Sequence, residues 1–503
     1  MKSNNNMNRR KFIGSTAAAA AAFTVVPRHV LGGPGYIAPN DKINLAYIGC
    51  GTQGLREMVR LIENPALQIV TVCDPNKFTT DYVDWSKDGI RNGIRRALED
   101  NEWGKNLDGI PGGRDVGQEF VEKYYAKNSP SGTFKGCTSY ADFRELLEKE
   151  KDIDAVKVMT PDHLHGAISI ASMNKGKHVV IHKPIANRAY EARLTIETAR
   201  TTGVITHLLA WSRRTGFDLA LDWIRNGAIG TLREIHNWSN RPVWPQWTSN
   251  PTDTPPIPDG FEWDLWLGCV PDRPYHPNYT HAVFRGWYDF GAGSIADMGN
   301  YSLWPLFLAF GIDTPPVSAE AYGTTTCNIT DHVSRPHRND VAFPYSSIIH
   351  FKFPQQKEFG PFDLFWYDGG MKPPRPDELE ADKELPREGM MFVGDSGKIL
   401  ASFHCGEPRI IPEKKMFDFL GTEEIPEDTT ERNENVWLDA FTSGKQSPGS
   451  FLYAGPVTET ILLGAVALRA GRKIEWDAEN MKVTNNEDAN KFLYREYRSG
   501  WEM

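Results

Sequence analysis

Three segments of this chain carry residue types that can move protons or hold polar ligands. Thr160-Pro-Asp-His-Leu-His165 and His182-Lys183-Pro184 each follow directly on an apolar, strand-like run. Ligands of a doubly wound sheet bind beyond the carboxyl ends of its strands, so both segments fall where a reactive group belongs. Lys183 is the sharper candidate. A lysine held near another positive charge has its ammonium form disfavoured, and can then exchange or share a proton with a substrate hydroxyl. The alternative is a strand-end lysine fixed by Pro184 for structural reasons. His163 and His165 fit local capping or hydrogen-bonding roles better than catalysis. The third segment is Trp287 to Tyr301. Gly291 and Gly293 suggest a turn, after which Ser294 starts a helix carrying Asp297 and Tyr301. At i and i+4 these two share a helix face. A carboxylate beside a phenol can handle protons, but it is also a common structural hydrogen bond.

What these residues would act beside is set by an earlier turn. Ile43-Asn-Leu-Ala-Tyr-Ile48 reads as a strand and runs into Gly49-Cys-Gly51-Thr-Gln-Gly54, a G-x-G-x-x-G pattern. Gly49 permits a tight turn, Gly51 lets pyrophosphate approach the backbone, and Gly54 lets the next helix pack against the sheet with its N–H groups facing phosphate. With 44 glycines in 503 residues chance matches occur, so context decides. Leu55–Ile62 has helical apolar spacing, and a second apolar run, Leu67–Cys73, ends in Asp74, at the distance where an acidic residue meets a ribose diol. The pattern predicts a dinucleotide site. Asp74 should repel a 2′-phosphate and favour NAD, while Lys77 leaves NADP open. Thr52, Gln53, Thr160, Pro161, His165, His182 and Lys183 complete the expected cofactor contacts.

Seven of the fifteen tryptophans lie between Trp238 and Trp304. Aromatic faces suit the C–H surfaces of sugar rings, although core packing is the commoner use of any single one. Trp244 and Trp247, in the proline-broken Arg241-Pro-Val-Trp-Pro-Gln-Trp247, are expected to be the exposed ones. Arg241, Trp244, Trp247 and Trp287 are the predicted substrate contacts.

The elements that must position these groups alternate in the first half. Strands at Ala155–Met159 and His178–Ile181 are separated by a helix at His165–Asn174, with a further helix over Tyr140–Leu147. Such βα units imply a parallel sheet with helices on both faces. Residues 78–138 form an insertion longer than ordinary βα connections, with a helix at Val116–Ala126 and a possible role as a lid. From about Asp218 the texture changes to a helix at Leu219–Asn226 and then strands without intervening helices: Gly230–Trp238, Ser346–Phe353, Gly389–Val393 and Lys398–Leu400. That pattern indicates an antiparallel or mixed sheet, followed by a helix over Thr458–Ala470.

At the start of the chain, Asn8-Arg-Arg-Lys-Phe-Ile13 precedes an alanine-rich stretch whose apolar core is about a dozen residues, where a spanning helix needs roughly 20. Residues 1–33 therefore read as a twin-arginine targeting segment rather than a membrane anchor, directing folded protein to the periplasm. A net charge of −9 argues against nucleic acid as a partner. The six cysteines are dispersed without metal-ligand spacing; Cys50 and Cys73 read as small core residues, and no metal site is expected.

Taken together, G-C-G-T-Q-G, T-P-D-H-L-H, G-K-H-V-V-I-H-K-P and the D-M-G segment at Asp297–Gly299 resemble the Gfo/Idh/MocA oxidoreductases. Trp263–Gly268, Arg285–Gly291 and Lys473–Asn480 look like that family's secreted bacterial branch. The resemblance runs from Asp41 to Met503. It implies an α/β protein with a Rossmann NAD(P)-binding domain over residues 41–210, and a C-terminal α/β domain over 211–503 with an open, mainly antiparallel sheet. It further implies sugar, inositol or related small-molecule substrates and a homo-oligomer. Lys183 matches the catalytic lysine of the family's E-K-P motif, with His182 in place of the glutamate. Asp297 matches the aspartate of D-x-G-x-H, and Tyr301 stands where the histidine acid/base usually is. A free tyrosine has a pKa near 10, so Tyr301 would need Lys183 nearby to act as a base. The expected function is an exported oxidoreductase with tightly held cofactor. Two alternatives stand beside it: glycoside cleavage through transient ring oxidation and elimination, and a non-catalytic carbohydrate-binding protein.

Overall fold

Six segments of the first half pair into one parallel sheet: β1 (Ile43–Ile48), β2 (Leu67–Cys73), β3 (Thr138–Tyr140), β4 (Ala155–Val158), β5 (His178–Ile181) and β6 (Thr206–Leu208), in the order β3-β2-β1-β4-β5-β6. The computed structural model describes residues 42–129, 131–424, 430–431 and 436–503, and the twin-arginine segment lies outside them. Strand β4 is buried throughout, as a strand covered on both faces must be. The strand order reverses between β1 and β4, which opens a crevice at their carboxyl ends. Both chemically suggestive segments leave the sheet there, Thr160–His165 after β4 and His182–Pro184 after β5.

The helix after β1 is Thr52–Leu61, which buries Gly54, Leu55, Met58 and Leu61 against the sheet. The helix expected over Tyr140–Leu147 starts later, because Tyr140 ends β3. Asp142 then caps the helix Phe143–Lys149, its carboxylate accepting the Arg144 N–H at 2.8 Å. The insertion holds helices Gly89–Leu98 and Arg114–Lys127 and folds back on itself through bridges between Thr79 and Gly112 and between Asp81 and Ile110.

The second domain is built on a nine-stranded sheet. Its spatial order is Arg409–Ile411, Lys398–Ala401, Gly389–Gly394, Leu232–Trp238, Phe362–Tyr367, Ser347–Phe353, Ser318–Gly323, Ile474–Asp477 and Lys482–Val483. All neighbours are antiparallel except Leu232–Trp238 beside Phe362–Tyr367. The helix Gly455–Ala470 covers this sheet closely, since a Cβ at Gly464 would sit 3.0 Å from the Phe351 ring. Before the helix Asn300–Phe310 comes one π-helical turn, Ile295–Gly299, which carries Asp297. Single π turns inside helices recur at functional sites. The chain also returns to the first domain: Trp437 and Leu438 are buried in the core formed by Tyr47, Ala155 and Val180. No helix among the described residues is long and apolar enough to cross a membrane.

Candidate active site

The glycine turn is built as its spacing requires. Gly49 has φ of 103°, and a Cβ there would lie 2.6 Å from the Met159 carbonyl carbon. At Gly54 a Cβ would lie 2.1 Å from the Gly49 carbonyl oxygen, so the helix could not seat against the turn. Asp74 is buried at the end of β2 and accepts the backbone N–H groups of Cys50 at 2.7 Å and Asn76 at 2.8 Å. Burial pushes its carboxyl up to about 6, against the opposing pull of those N–H groups and of Arg114.

Gly49, Gly51, Thr52, Gln53, Gly54, Asp74, Thr160, Pro161 and His182 line one cleft. Its roof could not be read from the sequence. Tyr82 from the insertion lies over Gly51 and against His281, with ring centres 4.1 Å apart. Phe261, Trp266, Phe284 and Arg285 close the cleft from the second domain. Lys77 is exposed and does not line it.

Beside the cleft lies a buried charge cluster. The Lys183 ammonium, in a residue only 2% exposed, donates to Asp297 Oδ1 at 2.7 Å and to the Asp297 carbonyl. Arg285 Nε approaches Oδ1 at 3.2 Å and Arg241 Nε approaches Oδ2 at 3.3 Å. One carboxylate thus receives three cations. Burial raises its pKa, but Lys183, Arg285 and Arg241 overcome that and hold it far below the usual carboxylate range. Burial lowers the Lys183 pKa, Asp297 opposes and Arg285 assists, with a net downward shift. Asp162, buried nearby, is pushed up to about 6 by burial despite the pull of Arg285 and Lys183.

Tyr301 does not become the expected base. Lys183 Nζ stands 5.0 Å from the centre of its ring, over the face rather than at the hydroxyl. Burial and the Asp297 charge raise the phenol well above its ordinary value. Its hydroxyl shares a hydrogen bond with His182 Nε2 at 3.1 Å, and His182 is kept neutral by burial, Lys183 and Arg285.

Other expectations need correction. His165 is buried and absent from the cleft lining; its Nδ1 meets the Pro184 carbonyl at 2.6 Å and its Nε2 the Thr160 carbonyl at 2.9 Å. It ties the loop after β4 to the loop after β5. His163 takes the hydrogen-bonding role expected of it, with Nε2 at 2.8 Å from the Trp266 carbonyl. Trp287 is buried, donates to the Asn278 carbonyl at 2.7 Å and stacks on Trp247 at 5.4 Å. Trp244 is also buried and, with Trp247, packs on Gly286. Prolines kept these rings out of regular layers, yet they found each other and formed a core of their own. Of the four predicted substrate contacts only Arg241 reaches the charge cluster. Cys50 and Cys73 are buried core residues, as expected.

Two family models match the chain. Residues 119–209 match the oxidoreductase family's NAD-binding Rossmann fold, and residues 231–343 match the oxidoreductase family's C-terminal α/β domain. Both matches are to the Gfo/Idh/MocA oxidoreductase family. The Rossmann match begins beyond the glycine turn, which the parallel pairing of β1 with β2 and β4 places in the same domain. Among relatives, a levoglucosan dehydrogenase of Pseudarthrobacter phenanthrenivorans is 33% identical over 119 residues, 22% of this chain and 30% of that protein. A glycosyl hydrolase family 109 protein of Shewanella baltica is 23% identical over 244 residues, 45% of this chain and 44% of its own. The chain therefore spans less than half the length of either relative. The WlbA dehydrogenase of Bordetella pertussis, solved with NADH and UDP-GlcNAcA, has the same fold at a TM-score of 0.50 and 13% identity, covering 87% of this chain and 98% of that one.

Proposed function

We propose that this protein is an exported, NAD-dependent oxidoreductase acting on a carbinol group of a sugar or glycoside. The observation that carries the reading is the Lys183–Asp297 pair, buried beside a cleft built on the glycine turn. The cleft residues fit a dinucleotide: glycines leave the backbone bare where phosphates approach, and Asp74 presents a buried carboxylate for a ribose diol. When bound there, nicotinamide supplies an acceptor or donor of two electrons at a carbinol carbon.

The chain's own residues handle the proton. Burial lowers the Lys183 pKa and so eases loss of its proton, which lets the lysine exchange a proton with the substrate hydroxyl. Asp297 fixes Lys183 through two acceptors and stays ionised, so the ammonium is compensated as soon as it forms. Arg241 and Arg285 keep Asp297 from taking the proton itself. The His182–Tyr301 pair supplies a neutral hydrogen-bonding wall. The match to a glycosyl hydrolase family 109 protein over 45% of the chain favours a second reading. In it, oxidation of the carbinol would acidify the neighbouring C–H, elimination would release the aglycone and leave an unsaturated ketone, and addition of water with return of the hydride would restore both sugar and cofactor.

The pattern Asn8–Ile13 supports export after folding, with the nucleotide carried along. The test uses protein purified from the periplasmic fraction, with released nucleotide quantified after denaturation and the nicotinamide absorbance followed during sugar additions. NAD at close to one per chain and a sugar-dependent absorbance change are expected. Protein that neither carries nor binds NAD sinks both catalytic readings, whereas product without net NADH selects the glycoside-cleaving one.

Asp74 makes cofactor binding depend on pH. With its carboxyl near 6, it is ionised above that pH and protonated below. The carboxylate is the form that accepts from a ribose diol, so NAD affinity should fall as pH drops through 6, by at most about tenfold per unit. Calorimetric titrations of nucleotide-free protein between pH 5 and 8 check this. Asp74→Asn should bind more weakly at neutral pH and lose the dependence.

A further inference from the structure

We propose that Trp85 is a stacking platform for a second sugar ring, so that the site takes a glycoside of at least two linked rings. The proposal rests on the sugar-carbinol reading above and adds to it the size and shape of the substrate. It starts from a second cavity, about 420 Å³, that borders His182 as the glycine-turn cleft does. That is the size of a small-molecule site. Gln53 and His182 line both spaces, and Tyr301 faces the second one. A ligand there meets His182, the neighbour of Lys183 in the chain, and Tyr301, whose ring centre lies 5.0 Å from the Lys183 ammonium.

The insertion delivers Trp85 to this cavity through a series of fixed contacts. Tyr82 lies over Gly51, the Thr52 hydroxyl donates to the Val83 carbonyl at 3.4 Å, and Asp84 is paired with Arg56 with its own side chain 1% exposed. The next residue, Trp85, lines the cavity with 62% of its surface exposed. Its indole is nonetheless held, because the Arg241 guanidinium sits over the ring, 5.0 Å from its centre. An indole kept in water but already ordered loses little freedom on binding, and its face suits the C–H surface of a pyranose.

Arg241 also sets the distance. The same guanidinium that lies over Trp85 has its Nε 3.3 Å from Asp297. Trp85 is therefore one guanidinium removed from the carboxylate that holds Lys183. With the guanidinium interposed, the proposal gives Trp85 and Lys183 a ring each. Two linked rings satisfy both.

The test titrates nucleotide-loaded protein with disaccharides of glucose, galactose and N-acetylglucosamine, and with methyl glycosides of the same sugars, following tryptophan fluorescence and calorimetry. At least one disaccharide should bind more tightly than its methyl glycoside. Trp85→Ala should weaken that disaccharide about tenfold, a loss at least fivefold larger than for the methyl glycoside, and Trp85→Phe should restore most of it. Equal losses for one and two rings, or no loss, overturn the platform. So does wild-type protein that keeps its nucleotide yet binds no disaccharide of the panel. Absence of nucleotide as well would strike the underlying reading instead, so the two failures are distinguishable.

Discussion

Lys183→Met is expected to lower turnover by about a thousandfold while the protein keeps its fold and its nucleotide. The size follows from removing a positioned proton acceptor, which is worth about 10²–10⁴ in rate. Methionine matches the aliphatic stem and fills the buried volume. Asp297 loses one cation but keeps Arg285 at 3.2 Å and Arg241 at 3.3 Å, so its carboxylate is not left buried and unpaired. Lys183 is also absent from the cleft lining, which is why nucleotide occupancy should survive. Single-turnover rates on nucleotide-loaded protein, with released NAD quantified in parallel, measure both effects. Retention of full turnover would refute the assignment of Lys183.

Asp297→Asn is the second large effect, and it falls on stability as well as activity. The substitution leaves Lys183, Arg241 and Arg285 converging on a neutral amide. Removing one partner of a buried ionic cluster costs about 3–5 kcal/mol, because the remaining charges are desolvated without compensation. At about 2–4 °C per kcal/mol for a domain of this size, the melting temperature should drop on the order of 10 °C. The sign of the pH dependence follows from the depressed pKa of Asp297. Its stabilising ionisation is complete above the unfolded value near 4 and is lost only as pH falls through the still lower folded value. The wild-type protein should therefore hold this contribution through neutral and mildly acidic conditions, and the variant should lack it throughout. Thermal melts at pH 5 and 7 would show a similar deficit at both; a deficit confined to pH 7 would count against this electrostatic account. Turnover should fall along with stability, since Lys183 loses the acceptors that aim it.

Much of the frame was legible from local pattern. Strand β5 and the helix His165–Asn174 fall on the residues expected from the sequence, because Val179–Ile181 is a short apolar run and the helix places Ala167, Ile168, Ile170, Ala171 and Met173 before the Lys175-Gly-Lys177 turn. Asp74 and the three glycines were legible for a similar reason: their roles depend on backbone geometry within one βα unit. Tyr140 was assigned to a helix because three-residue β3 is too short to carry an alternation of its own, and only its pairing with β2 makes it a strand. The tryptophans failed in the opposite direction. Spacing cannot tell an indole that faces water from one that stacks on a ring 40 residues away, as Trp247 does on Trp287.

By itself the sequence determined the strand-turn-helix that can hold a dinucleotide, the two loops that leave neighbouring strands, and Lys183 and Asp297 as the residues to watch. The turn and the loops are properties of short segments, fixed by chain stereochemistry and apolar periodicity, whereas Lys183 and Asp297 stood out through their match to family motifs. The tertiary structure alone decided what surrounds them. It brought Arg241 and Arg285 from separate parts of the second domain onto Asp297, turned Tyr301 toward His182 instead of making it a base, and carried Trp85 to the rim of the second cavity. Burial and charge set the protonation of each of these groups. Both depend on which distant segments pack together, and no local spacing encodes that.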